Sequence, residues 1–212
     1  MLFPESARFD KRIPKQKFYN NLDITPALKR AFVEQIQSVY WSYKLAPEII
    51  SIGAGTEVAE IEVFEIKLTT KELDETVLRQ IDKQIPYHIL FVLTYADQIR
   101  VAIAHKNAAD SGKNAFKVNK YFYTPWQSEA DLSISIKGLT MDTVWEGFIT
   151  QISGITVQQG NTLDQQIVAD EKHAKLEKEI ARLEKLARAE KQPKKKFDIA
   201  QQIVNLKKEL EV

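Results

Sequence analysis

Residues 61–95, IEVFEIKLTTKELDETVLRQIDKQIPYHILFVLTY, change hydrophobic period twice. Over 61–68 the alternation is by twos, with Phe64, Ile66 and Leu68 on one side and Ile61, Val63, Glu65 and Lys67 on the other, which is a strand pattern. Thr69 and Glu72 then have the spacing of a helix-capping pair, and Leu73, Val77, Ile81 and Ile85 step as one helical stripe that Pro86 ends. Residues 87–95 are almost wholly apolar, aromatic or branched, as suits a central strand covered on both faces. Strand, helix and strand in that order set the fold class as α+β, a mixed sheet flanked by helices.

Working outward, Thr25 and Pro26 mark a helix start, and Leu28, Phe32, Ile36, Val39 and Tyr43 predict that this helix runs on to Pro47. On the other side, Ala96 and Asp97 turn into a second strand over 98–106. A polar loop, NAADSGKNA, leads to strand candidates at 118–124 and 132–136. Met141, Val144, Trp145, Phe148 and Ile152 make the last helical stripe of a body spanning residues 1–154. Residues 1–24 have no sustained period and read as an extended basic arm.

Residues 155–162 read as a linker. From Asn161 to the end there is no glycine, one proline and one aromatic residue. Ala169, His173, Leu176, Ile180, Leu183 and Ala187, then Ile199, Ile203, Leu206 and Leu210, predict two amphipathic helices meeting at KQPKKK, an antiparallel hairpin or coiled coil over 163–212. Stripes this narrow are marginal in water, so the pair must bury them on each other, with apolar edge left around Leu186 and Val204 for another surface.

Composition excludes several classes. The 30 Lys and Arg nearly balance 29 Asp and Glu, so no global field draws the chain to nucleic acid or lipid. Cysteine is absent, which removes disulfides, thiolate zinc sites and cysteine nucleophiles. No apolar run reaches the roughly 20 residues of a membrane span, and the start has no leader pattern, so the expectation is a cytoplasmic protein with no membrane partner. Gly53 and Gly55 lack the third glycine of a dinucleotide loop, and Ser111, Gly112 and Lys113 lack the frame of a phosphate loop. His88 and His105 lie on separate strands without further ligands at metal spacing, and His173 has no second ligand one turn away.

Two sets of residues carry candidate chemistry. Glu48 after Pro47, with Glu65 and Lys67 on the following strand, has the look of a restriction-endonuclease-like core. In such a core Glu48 and Glu65 would hold Mg2+ and Lys67 would orient the attacking water. Glu34 could stand behind them. A nucleic-acid-binding module would use Lys11, Arg12, Lys15 and Lys17 of the arm and Lys194, Lys195 and Lys196 at the hairpin tip. Without the nuclease, no cofactor is expected.

KRIPKQKFY, LKRAFVEQIQSVYWSYKLAPE, EIEVFEIKL and LRQIDKQIPYHILFVLTY resemble a bacterial family described as domain of unknown function 4391, over residues 9–152. The resemblance implies a place beside the helicases and DNA methyltransferases of restriction-like phage-defence clusters, and it supplies no catalytic residues. Three readings follow: an accessory, non-catalytic subunit docking through the hairpin on such a protein or on its own copy, a magnesium nuclease, and a nucleic-acid-binding module.

Overall fold

The computed structural model describes residues 3–19, 24–108 and 116–210. By its internal contacts the chain divides into two units, Met1–Gly154 and Ile155–Val212. The loop predicted over 107–115, with Ser111, Gly112 and Lys113, falls largely outside the described residues.

The first unit is built on one six-stranded sheet in sequential order. Strand β1 (Arg8–Ile13) pairs antiparallel with β2 (Ile36–Leu45), and β2 with β3 (Ile61–Leu68). Helix α3 (Glu75–Gln84) then carries the chain over to β4 (His88–Tyr95), parallel to β3. Antiparallel hairpins add β5 (Gln98–Ala108) and β6 (Phe116–Tyr123). The α+β class and the mixed sheet stand as the sequence predicts.

Thr25 does start a helix, α1 (Pro26–Gln35), its hydroxyl accepting from the Leu28 N–H at 3.2 Å. The helix does not run on to Pro47. It stops at Gln35, and the next ten residues, rich in Tyr, Trp and branched side chains, form β2. Ile36 and Val39, expected on a helical stripe, are buried instead by pairing with β3. A short helix α2 (Pro47–Ile50) follows.

The predicted arm is also structured, since its centre is the edge strand β1 and Lys15–Phe18 is a 3-10 turn. Residues 132–136 are not a strand. There the Gln151 side chain takes the place of a strand neighbour, accepting from the Ser135 N–H and donating to the Ser135 carbonyl, each at 3.0 Å.

Alternation along the strands gives the sheet two apolar faces. On one, Phe64, Ile66, Phe91, Leu93, Ala102 and Tyr121 pack with Phe32 of α1 and with Val77, Leu78 and Ile81 of α3. On the other lie Val63, Leu90, Val92 and Ile103, and here α4 (Met141–Ser153) packs on β5 and β6 with its Val144, Trp145, Phe148 and Ile152 buried. Asp142 in the first turn of α4 accepts from the N–H groups of Thr56, Glu57 and Val58 at 2.6, 3.0 and 2.8 Å. A Cβ on Gly55 would meet Asp142 Oδ1 at 2.5 Å, so the glycine serves this close approach.

The second unit is α5 (Leu163–Ala189) and α6 (Pro193–Leu210), which pack together. Thr162 caps α5 in a reciprocal box with Gln165.

Candidate functional site

The two carboxylates expected to share a metal lie on different elements, Glu48 on α2 and Glu65 on β3. Glu65 pairs with Tyr40 and Leu45 with Ile61, so four strand residues, about 13 Å at ~3.3 Å each, separate the Glu65 level from the end of β2. Glu48 lies beyond that end, exposed on α2. Glu34 is on α1, which covers the face opposite Glu65, and Lys67 is exposed on β3. Among the described residues no group of three or more Asp, Glu or His is arranged to hold a metal ion. Burial raises the Glu65 carboxyl, and the nearby charges of Glu129 and Asp10 push the same way against Lys67 and a Ser42 hydrogen bond.

The sheet carries two buried polar groupings that the sequence reading missed. Lys106 Nζ meets Asp82 Oδ1 at 2.6 Å with both side chains fully buried, and also donates to the Tyr87 carbonyl at 3.1 Å. Tyr121 donates its hydroxyl to the other Asp82 oxygen. Burial pushes Asp82 up and Lys106 down, while each offsets part of the other's desolvation. The ammonium also sits 4.1 Å from the Phe116 ring centroid. An acid on the inner stripe of an amphipathic helix was the available signal, because such a group requires a buried donor.

The second grouping is Glu62, 1 % exposed, and among the described residues neither its carboxyl oxygens nor the nearby Trp41 Nε1 makes a hydrogen bond. Burial, then Glu60, raises this carboxyl to about 8. Glu60 itself pairs with Lys44 at 2.7 Å.

The basic residues separate into two kinds. Lys15 Nζ donates to the carbonyls of Val33 and Ile36 at 2.9 and 2.6 Å, closing the C-terminal end of α1, and burial lowers its pKa. Lys11 and Arg12 are exposed on β1, on opposite faces of the edge strand, and Lys17 is exposed on the following turn. Charges so placed also keep an edge strand from pairing with other chains. Lys194, Lys195 and Lys196 are exposed in the first turn of α6, where no acidic residue accompanies them.

Between the hairpin helices, Ile180 and Leu183 are buried, and ion pairs join Lys207 to Glu184 at 2.9 Å and Lys172 to Glu209 at 3.0 Å. His173, expected on the seam, is instead exposed beside Glu177, 3.7 Å away. Leu186, Phe197 and Val204 stay 46 %, 68 % and 45 % exposed, so pairing the helices does not use up their apolar surface.

A family model described as domain of unknown function (DUF4391) matches residues 1–210. No curated protein and no solved structure matches the chain. No helix among the described residues is long and apolar enough to cross a membrane.

Proposed function

We propose, from the premise that the chain belongs to the DUF4391 family, that it is an accessory subunit of a bacterial restriction-modification or phage-defence assembly. Its C-terminal hairpin docks it on a helicase or DNA methyltransferase subunit. The observation that carries this reading is the exposure of Leu186, Phe197 and Val204 on helices that already bury Ile180 and Leu183 against each other. Large apolar side chains gain about 1.5–3 kcal/mol each on full burial, and a few such anchors dominate an interface. The ion pairs between the helices are exposed and add little, so the apolar residues are what a partner would cover.

The test is co-purification of the full chain with the helicase or methyltransferase encoded beside it. Leu186→Asp with Val204→Asp should release the partner while circular dichroism stays unchanged. A doubly substituted chain that retains its partner as firmly as the original would overturn the docking surface. A dimer in light scattering that the same pair dissociates would instead make the partner a second copy.

A further inference from the structure

We propose that the body binds a nucleotide, either free or as the terminal unit of a strand, in a pocket of about 490 Å³ at the carboxyl end of the parallel β3–β4 pair. The proposal is independent of the hairpin and goes beyond the docking reading. The volume lies within the roughly 300–1,000 Å³ of small-molecule sites. It lies past the end of β3, where Lys71, Glu72 and Leu73 follow the strand, beside Leu93 of β4. Leu73, Leu78 and Leu93 give it an apolar floor, and Tyr123 and Trp126 bring two aromatic rings to it.

Two of the lining residues are cations, Arg100 and Lys71, each held by a hydrogen bond. Arg100 Nε donates to the Thr124 carbonyl at 2.9 Å, which holds the guanidinium 4.4 Å from the Tyr123 ring centroid. Its terminal nitrogens have no hydrogen bond or ion pair among the described residues and can grip a phosphate in the paired geometry that guanidinium favours. Tyr123 is itself locked, its hydroxyl donating to Glu75 at 2.9 Å, and Glu75 is charge-paired with Arg79 at 2.7 Å. Lys71 Nζ donates to Gln98 at 2.7 Å and lies 5.8 Å from the Trp126 ring centroid. Against these two cations the lining has one carboxylate, Glu72.

A neutral sugar or lipid would leave both cations unused, and a bare anion would leave both rings unused. A flat base joined to a phosphate uses all four. The base stacks on Trp126, and the phosphate goes to Arg100 and Lys71.

Titration of the full chain by calorimetry and by tryptophan fluorescence tests this, with AMP, adenosine, inorganic phosphate and a 5′-phosphorylated trinucleotide as probes. AMP should bind saturably with quenching of Trp126, and adenosine and phosphate each at least tenfold more weakly. Trp126→Ala should weaken AMP by roughly 5- to 150-fold. Trp126→Phe should keep the heat of binding while losing the quench, and Arg100→Gln should cost at least tenfold. Tighter binding of the trinucleotide assigns the site to strand ends, and equal or weaker binding assigns it to free nucleotides. No saturable binding of AMP or the trinucleotide up to millimolar concentration overturns the proposal. So does phosphate binding as tightly as AMP, or affinity that neither Trp126→Ala nor Arg100→Gln changes. If a variant does not fold, the comparison of AMP with adenosine and phosphate on the unaltered chain still decides.

Discussion

Burial, reinforced by Glu60, raises the Glu62 carboxyl from an ordinary 4.5 to about 8, so the folded chain holds a proton there at neutral pH. The unfolded chain releases that proton near its ordinary value. Stability from this group is therefore complete below about 4.5, falls as pH rises toward about 8, and levels above it. Glu62→Gln should flatten this slope and leave the variant more stable than the original chain above pH 8, as read from urea midpoints across pH; parallel curves would show the group titrating normally. For the Lys106 ion pair, Asp82→Ala should cost about 3–5 kcal/mol by stranding a buried ammonium. Tyr121→Phe, which removes one donor to that carboxylate, should cost about 1–3 kcal/mol, and Lys15→Met about the same through the carbonyls left at the end of α1. At this scale the sequence showed the alternation that set Glu65 and Lys67 apart from Phe64 and Ile66, and it held a signal for Asp82 in its place on the inner stripe of α3. Asp82 and Lys106 are 24 positions apart, and nothing local announces that they meet.

At the scale of the element, strong local chemistry was readable and competition between periods was not. The Thr25–Pro26 start, the inner face of β3, the buried run of β4 and the stripe of α4 all follow from cap chemistry and spacing. The end of α1 does not, because Ile36, Val39 and Tyr43 step by three and four. That spacing suits a helix, and pairing with β3 overrides it. Strand β1 was hidden for another reason, since a charged edge strand with almost no buried side chain has no apolar pattern to read. The N-terminus of α3 was misplaced as well, because Asp74 rather than Thr69 caps it and Thr69 instead donates to the Glu34 carbonyl. The first turn of α4 yields a test at this scale. Although burial pushes Asp142 up, the N–H groups of Thr56, Val58 and Glu57 outweigh it and hold the carboxyl below its usual range. Asp142→Ala should speed amide exchange at those three positions and cost about 1–3 kcal/mol in urea denaturation. Unchanged exchange there would show the loop to be held by something else.

For the whole molecule, the two units differ in what holds them. The body has a sheet with apolar side chains packed on both faces, whereas the hairpin has two helices with a narrow seam and exposed Leu186, Phe197 and Val204. Residues 1–154 expressed alone should melt cooperatively, within a few degrees of the full chain. A peptide of residues 155–212 should be only partly helical by circular dichroism, since short seams are marginal in water. A fully helical, cooperatively melting peptide would show that the hairpin needs no partner. The composition change after Gly160 was visible in the sequence. The nucleotide pocket was not, because Lys71, Arg100, Tyr123 and Trp126 come from separate segments and share no spacing.

The sequential strand order has a consequence for biosynthesis. Because each strand pairs with the one just before it, the sheet can grow one strand at a time as the chain leaves the ribosome, without waiting for a distant segment. The helices that cover one face, α1 and α3, are made before β4, but α4 arrives after every strand. A nascent chain stalled after Tyr123 would therefore leave bare the face of β5 and β6 that α4 comes to cover. Chaperone capture of the newborn protein should peak between the emergence of β6 and that of α4.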